Sequence, residues 1–248
     1  MSTSTRTAGK KAICFDVNQT LIHQGIHFEQ AFRSVWNDYY SRSVQGSFPT
    51  AEALWSKYQF YWQQHKKNKT ARLQLDDLQQ QCLQSAIKEL EVPVHQQFAR
   101  DFFQLVRRER LAARSLAPGV EETLRSLAPR FKLAIISNSP RSEVKHLLER
   151  FGLHDFFPED RIFTAQHSSE KKPNVPLFKT AIRTLDLSPR QLVMVGNSWK
   201  HDVCGATKAG LDAVWVQSGA SAKKITQQKL GKRNVYCIQQ MDQLLELF

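Results

Sequence analysis

Short apolar runs alternate with helical stretches along the second half of the chain, and this alternation limits the fold more than any other feature. Each run has the length and character of a buried strand, and a segment with helical spacing follows it. The predicted strands lie at 131–136, 161–164, 191–195, 213–217 and 235–238, and the predicted helices at 120–127, 141–151, 175–185, 201–209 and 241–248. This order predicts an α/β fold with parallel strands joined by right-handed crossovers.

One more apolar run, residues 12–15, stands near the start of the chain and is followed at once by Asp16. A carboxylate after a buried strand lies at the edge of a sheet where open α/β folds bind ligands. The alternative is that Asp16 only caps the next turn or helix. Similar polar groups after later strands favour the first reading.

Those groups are Ser137 with Asn138, Asn197 with Asp202, and Lys172 ahead of a helix that prolines open. In a parallel sheet they converge on the edge that carries the first carboxylate. A carboxylate can attack an electrophile there, while hydroxyl, amide and ammonium groups hold its negative charge.

The stretch 23–114 separates the first strand from the rest of the sheet. It is rich in Gln, Arg, Leu and aromatic residues, and its apolar residues recur at helical spacing in four segments. This predicts four amphipathic helices, whose aromatic stripes form a core of their own. We therefore predict a disordered tail at 1–10, an α/β core from 11–22 and 115–248, and an α-helical insert at 23–114.

The net charge of +12 is compatible with nucleic acid, an anionic membrane or a small anionic substrate. The basic residues are spread out and no nucleic-acid motif accompanies them, so we expect a small anionic substrate. No run approaches the ~20 apolar residues of a membrane helix, and the first ten residues lack the apolar segment of a signal peptide. Four scattered cysteines without a Cys-x-x-Cys pair predict reduced thiols and a cytoplasmic location. Monomer and homodimer both stay open.

Four short segments together resemble the motifs of the haloacid dehalogenase-like (HAD) superfamily. Phe-Asp-Val-Asn-Gln-Thr-Leu at 15–21 resembles the first motif, Asp-x-Asp-x-Thr-Leu. The second, third and fourth motifs resemble residues 136–138, residues 172–174 with Phe178, and residues 195–202. The resemblance implies a Rossmann-like parallel sheet and makes the helical insert similar to a C1-type cap.

The resemblance also implies roles for individual residues. Asp16 would be the nucleophile that forms a covalent aspartyl intermediate, and Lys172 would stabilise it. Substrate-binding roles fall to Thr20, Ser137 and Asn138. The implied Mg²⁺ site would use Asp16, the backbone carbonyl of Asn18, Asp202, and Asn197 at a position usually held by Asp.

Two departures from the family pattern change the expected chemistry. Asn18 stands where phosphatases of the family have a general acid, and an amide has no proton to give; general acid catalysis contributes about 10²–10⁴-fold. Asn197 removes a carboxylate from a cation site that relies on one or two of them. A phosphatase with these residues is expected to be slow and to hold Mg²⁺ weakly. His23 and His27 follow the first loop, but a structural role is the simpler interpretation of each.

Three functions stay open on this evidence. The first is a Mg²⁺-dependent phosphatase of a small phosphorylated metabolite. The second is a metal-independent 2-haloacid dehalogenase, for which Asn18 is no handicap because halide leaves without a proton. In that branch of the family a cap arginine takes part, and here Arg33 or Lys57 would have to replace it. Trp199 stands at a position where that branch has Asn. The third is a non-catalytic binding protein.

Overall fold

The structure is a computed structural model that describes Thr7 and residues 9–41, 48–67, 75–217 and 224–248. It divides into two compact units, one of Met1–His23 with Ser115–Phe248 and the other of Gln24–Arg114. The predicted tail at 1–10 falls largely outside the described residues. At its end, the Lys10 ammonium lies 2.6 Å from a carboxylate oxygen of Asp212.

Strands and helices follow one another in the order that the alternating pattern predicts. The chain begins with strands β1 (Ala12–Phe15) and β2 (Ile22–His23). Four helices follow: α1 (Phe28–Ser41), α2 (Ala51–Lys67), α3 (Leu75–Glu89) and α4 (Phe98–Ala112). The remaining elements are β3 (Ser115–Leu116), α5 (Val120–Leu127), β4 (Lys132–Ser137), α6 (Arg141–Arg150), β5 (Ile162–Thr164), α7 (Val175–Leu185), β6 (Leu192–Gly196), α8 (Cys204–Lys208), β7 (Asp212–Val216), β8 (Thr226–Leu230), β9 (Arg233–Ile238) and α9 (Leu244–Leu247).

The main sheet has seven strands in the order β5-β4-β1-β6-β7-β9-β8. All adjacent pairs are parallel except β8 with β9, which confirms the predicted α/β fold. Later strands are added on both sides of β1, so Cys14 lies opposite Ala134 of β4 and Met194 of β6. The carboxyl end of β1 is therefore the switch point where such sheets bind ligands.

Both faces of β1 are buried. Ile13 and Phe15 belong to an apolar cluster with residues of α5 and α6, whereas Ala12 and Cys14 belong to a second cluster with residues of α7 and α8. Successive side chains of a strand point to opposite faces. The burial of all four explains why this run reads as continuously apolar rather than alternating.

Several segments differ from the sequence prediction, which did not include the short antiparallel strands β2 and β3. Strand β8 was not predicted, because its Thr-Gln-Gln-Lys-Leu sequence is polar and mostly exposed at the sheet edge. The helix predicted at 201–209 begins earlier, as a π-helical turn at Trp199–Val203 that leads into α8. The final predicted helix is a 3₁₀ turn at Met241–Gln243 followed by α9.

The unit Gln24–Arg114 has its own aromatic core, as the stripes predict. The ring of Phe32 is completely buried, with its centroid 4.8 Å from that of Phe102 and 5.0 Å from that of Trp55. Thr50 caps α2 by accepting a hydrogen bond from the Ala53 amide at 3.2 Å. A role of this unit as a cap stays a prediction. Within the described ranges, no helix has the length and apolar character needed to cross a bilayer.

Candidate active site

Asp16 follows the last residue of β1 and is almost buried, with 8% of its surface exposed. Its backbone amide donates a hydrogen bond of 2.9 Å to the Val195 carbonyl of β6. The next turn is closed by the Val17 carbonyl, which accepts from the amides of Leu21 and Ile22 at 3.0 Å each. The strand and its tight turn thus fix the carboxylate at the switch point.

The Lys172 ammonium lies between two carboxylates. Its nitrogen is 2.7 Å from Oδ1 of Asp16, 2.7 Å from Oδ1 of Asp202 and 2.7 Å from the Ile136 carbonyl. An ammonium has three protons, so each has an acceptor. Because two buried carboxylates share one cation, the group retains negative charge.

The pKa values of these residues follow from that arrangement. Burial raises the pKa of the Asp16 carboxyl above its ordinary value; the Lys172 ammonium opposes this and the Asp202 carboxylate adds to it. Burial alone would lower the pKa of Lys172, but the two carboxylates outweigh it and raise that pKa. Lys172 therefore stays charged at neutral pH and supports the ionised form of Asp16.

Asn138 holds the loop that carries Lys172. The Asn138 amide nitrogen donates to the Lys172 carbonyl at 3.0 Å, and the Asn138 amide oxygen accepts from the Lys172 backbone amide at 2.7 Å. Ser137, at the end of β4, accepts a 3.2 Å hydrogen bond from the Ser139 amide. Asn138 thus positions the lysine, a use of its side chain that the sequence did not reveal.

Asp202 reaches the site because the chain makes a π-helical turn. The turn lets the Ser198 carbonyl accept from the amides of Asp202 and Val203 at 2.9 and 3.2 Å. In return, Oδ2 of Asp202 accepts from the Ser198 amide at 2.9 Å. A π-helical turn is rare and frequently occurs at functional sites.

The side-chain amide of Asn18 has a hydrogen-bond partner for its nitrogen but not for its oxygen among the described residues. Its amide nitrogen donates to the Ser139 hydroxyl at 2.8 Å, while its amide oxygen is buried and has no hydrogen-bond partner among the described residues. A buried acceptor left in this way is costly unless a ligand or water fills it.

Thr20 lies outside the cavity and contacts a residue that lines it. Its hydroxyl oxygen accepts a 3.1 Å hydrogen bond from the Asn197 amide, and Thr20 itself is 1% exposed. The Asn197 carbonyl also accepts from the Trp215 indole at 2.9 Å. The chain around Asn197 is therefore held from two sides.

These side chains line a cavity of about 250 Å³. Seven of the eight predicted site residues line it: Asp16, Asn18, Ser137, Asn138, Lys172, Asn197 and Asp202. The eighth, Thr20, is not among the lining residues and contacts the site through Asn197.

Sequence reasoning missed three lining residues, which are Ser139, Ser198 and His201. The Ser198 hydroxyl and Nδ1 of His201 lie 3.0 Å apart. All three stand inside or beside the motifs described above, so a closer reading of those segments would have found them. His23 and His27 are not among the lining residues.

The oxygen atoms of the cavity are of the kind that bind Mg²⁺. Two carboxylates are present, and Asn18, whose buried amide oxygen has no hydrogen-bond partner among the described residues, lines the same space. Mg²⁺ in proteins commonly uses one or two carboxylates and keeps several waters, so the donor set fits this ion. In the part of the chain that the structure describes, no group of three or more His, Cys, Asp or Glu residues could hold a metal.

Comparison with known proteins places the fold and the family. Glyceraldehyde 3-phosphate phosphatase of Methanothermobacter thermautotrophicus is 32% identical over 131 residues, 52% of this chain and 57% of that protein. Phosphoglycolate phosphatase of Vibrio vulnificus is 33% identical over 96 residues, 38% of this chain and 41% of that protein. The chain thus spans about half the length of the curated relatives it matches.

Two solved structures share the fold along nearly the whole chain. A 2-haloacid dehalogenase from Pseudomonas syringae has a TM-score of 0.59 at 23% identity and covers 96% of this chain and 97% of its own. A HAD phosphatase from Thermococcus onnurineus has a TM-score of 0.55 at 20% identity, with coverage of 96% and 97%. The family model for haloacid dehalogenase-like hydrolases matches residues 48–216, most of the chain. The chain therefore belongs to the family of haloacid dehalogenase-like hydrolases.

Proposed function

We propose that this hydrolase is a phosphatase that removes the phosphoryl group from a small substrate through Asp16. The observation that carries the proposal is the buried contact between Lys172 and the two carboxylates of Asp16 and Asp202. It holds the Asp16 carboxyl group beside a cation, at the edge of a cavity that Ser137 and Asn138 also line. The two relatives described above are phosphatases by name, which supports this choice.

Each residue contributes a defined step. The Asp16 oxygen that Lys172 does not contact attacks phosphorus, and the bond to the leaving oxygen breaks. The Ser137 hydroxyl and nearby backbone amides hold the phosphoryl oxygens, whose charge the Lys172 ammonium offsets. Water then cleaves the aspartyl phosphate and restores the carboxylate.

Mg²⁺ is part of this proposal. Asp16, Asn18 and Asp202 would hold the ion, with Asn197 beside them, and a bound cation neutralises charge on a transferring phosphoryl group. With only two carboxylates we expect weak binding, so that activity depends on millimolar rather than trace metal.

The test is hydrolysis of p-nitrophenyl phosphate with added Mg²⁺ and with EDTA. We expect turnover that EDTA removes, and Asp16→Asn should abolish it while thermal unfolding shows an intact fold. Asp186→Asn is a matched control, because Asp186 ends α7 with a left-handed backbone (φ 53°) that Asn also adopts. Full activity of Asp16→Asn would remove this residue from its proposed role.

A dehalogenase is the second candidate, and Asn18 favours it because a departing halide needs no proton. Against it, the cations that would replace the missing arginine already have partners within the helical unit. Arg33 pairs with Glu29 and Glu52, and Lys57 pairs with Glu89. Chloride release from L-2-chloropropionate without metal would favour this candidate. If neither assay detects turnover over a broad panel of substrates, the result would favour a non-catalytic protein.

A further inference from the structure

The described residues that line the cavity offer a leaving group almost no proton. The three protons of the Lys172 ammonium already have acceptors at 2.7 Å: Oδ1 of Asp16, Oδ1 of Asp202 and the Ile136 carbonyl. Since each of these protons is directed at a buried acceptor and none at a leaving group, Lys172 is not placed to serve as the acid.

The carboxyl groups of Asp16 and Asp202 are also not available as proton donors to a leaving group. Asp16 attacks phosphorus in the proposed reaction and must be ionised to do so. Asp202 accepts from Lys172 through one oxygen and from the Ser198 amide through the other, so both of its carboxyl oxygens already face donors. Among the described residues, no further Asp or Glu lines the cavity.

Asn18 stands two residues after the nucleophile and lines the same cavity. Its amide nitrogen donates to the Ser139 hydroxyl, and its buried amide oxygen can only accept. An amide stabilises a group by hydrogen bonding but transfers no proton at neutral pH. The serine hydroxyls of the cavity are likewise far too weakly acidic.

We propose that the substrates of this enzyme are phosphoryl compounds whose leaving group departs as a stable anion, namely acyl phosphates and esters of acidic hydroxyl groups. The inference rests on the proposed phosphatase function and narrows it. Unactivated alkyl phosphates, whose alkoxide must be protonated as it leaves, are poor substrates.

The reaction balances without an enzyme acid. The Asp16 oxygen forms a bond to phosphorus, and the bond from phosphorus to the leaving oxygen breaks with its electron pair, which releases a carboxylate or phenolate. Water then attacks the aspartyl phosphate, the electron pair of the broken bond returns to Asp16, and the proton lost by water goes to solvent. The second leaving group is itself a carboxylate, so this step needs no acid either.

The test is a series of phosphates of increasing leaving-group basicity, measured as kcat/KM on the full chain with Mg²⁺. 2,4-Dinitrophenyl phosphate, acetyl phosphate, p-nitrophenyl phosphate, phenyl phosphate and ethyl phosphate form such a series. We expect kcat/KM to fall from the first compounds to ethyl phosphate by at least the roughly 10²–10⁴-fold that general acid catalysis contributes. Ethyl phosphate turned over as well as p-nitrophenyl phosphate would overturn the inference.

Two Asn→Asp variants in the same cavity distinguish the effect of an added general acid from the effect of an added negative charge. Asn18→Asp should raise kcat/KM for phenyl and ethyl phosphate more than for acetyl phosphate. The dependence of kcat/KM on leaving-group basicity therefore becomes flatter. Asn197→Asp adds the same charge and should leave the dependence as steep as before. An unchanged dependence in Asn18→Asp, or equal flattening in both, contradicts the inference.

His201 is the imidazole that lines the cavity, and its Nδ1 lies against the Ser198 hydroxyl. His201→Gln should leave the dependence on the leaving group unchanged; a steeper dependence would make His201 the acid and overturn the inference. Failure to hydrolyse any compound, acetyl phosphate included, would instead contradict the phosphatase proposal. A flat dependence with good turnover would keep that proposal and refute only the substrate class.

Discussion

Gly196 passes so close to Asp202 that no side chain fits between them. A Cβ built on Gly196 would lie 2.4 Å from the carboxylate carbon of Asp202 and 2.4 Å from its Oδ2. Both atoms are far inside van der Waals contact, so Asp202 must move if residue 196 gains a methyl group. We expect Gly196→Ala to lower kcat/KM on p-nitrophenyl phosphate by about 10²-fold, the effect of a displacement near 1 Å.

The matched control is Gly152→Ala. Gly152 has φ +67°, and a Cβ there meets no atom within 4 Å. The alanine costs roughly 1–2 kcal/mol of backbone strain but disturbs no residue of the cavity, so kcat/KM should stay unchanged. Equal activity losses in both variants would show that the effect of Gly196→Ala is general destabilisation.

Lys172→Met removes the only cation that contacts both carboxylates among the described residues. Loss of one partner of a buried ion pair costs about 3–5 kcal/mol of unfolding free energy. Burial already raises the pKa of Asp16, and without the ammonium that pKa rises further. The variant should therefore be least stable at neutral pH and recover relative to wild type as pH falls and Asp16 takes up a proton.

Urea unfolding between pH 8 and the acid range of the native fold measures this difference. Lys145→Met is the control, since Lys145 pairs with Glu159 on the surface, where ion pairs contribute little. A constant stability difference across pH for Lys172→Met would contradict the proposed electrostatic coupling.

Cys14 makes the fold sensitive to alkali. Burial raises the pKa of its thiol from 9.0 to about 12. Because the unfolded thiol ionises first, unfolding becomes more favourable as pH rises from 9 to about 12, by about 1.4 kcal/mol per pH unit. Cys14→Ala should lose this part of the alkaline slope, although its stability at pH 7 is lower. Equal slopes in wild type and Cys14→Ala would refute the assignment.

Phe32 anchors the core of the helical unit. Its buried ring packs edge-on against Phe102 and Trp55, and Phe→Ala substitutions in cores cost about 3–5 kcal/mol. Phe32→Ala should lower the stability of this unit, measured by hydrogen exchange of amides in α1 and α4. Phe60→Ala is the control, because Phe60 is 51% exposed and should change little. Equal protection in both variants would argue against an independent core.

The fold was largely predictable because local patterns and tertiary position agree. Helices α5 and α7 have the predicted bounds, and both have a buried apolar face that sets their spacing. Strand β8 could not be predicted, since its polar residues make sense only through pairing with β9. The gathering of polar residues after parallel strands followed from topology, whereas the use of each side chain did not.

The hydrogen-bond partners of Asn138 and Thr20 could not be predicted from the sequence. Both stand in segments that pointed to the site, but Asn138 is engaged with the Lys172 backbone and Thr20 with the Asn197 amide. Such contacts join residues far apart in sequence and depend on the final placement of loops. The π-helical turn that brings Asp202 to Ser198 is equally invisible to helical periodicity.

The central place of β1 has a consequence for how the chain folds. This strand is synthesised before both of its neighbours, which begin only at Lys132 and Leu192. A strand that is buried on both faces therefore stays unpaired until much later parts of the sequence are available. Pairings of such long range slow folding and leave apolar strands exposed to aggregation in the meantime. The four helices encoded in between share a core of their own and can form while the sheet is still incomplete.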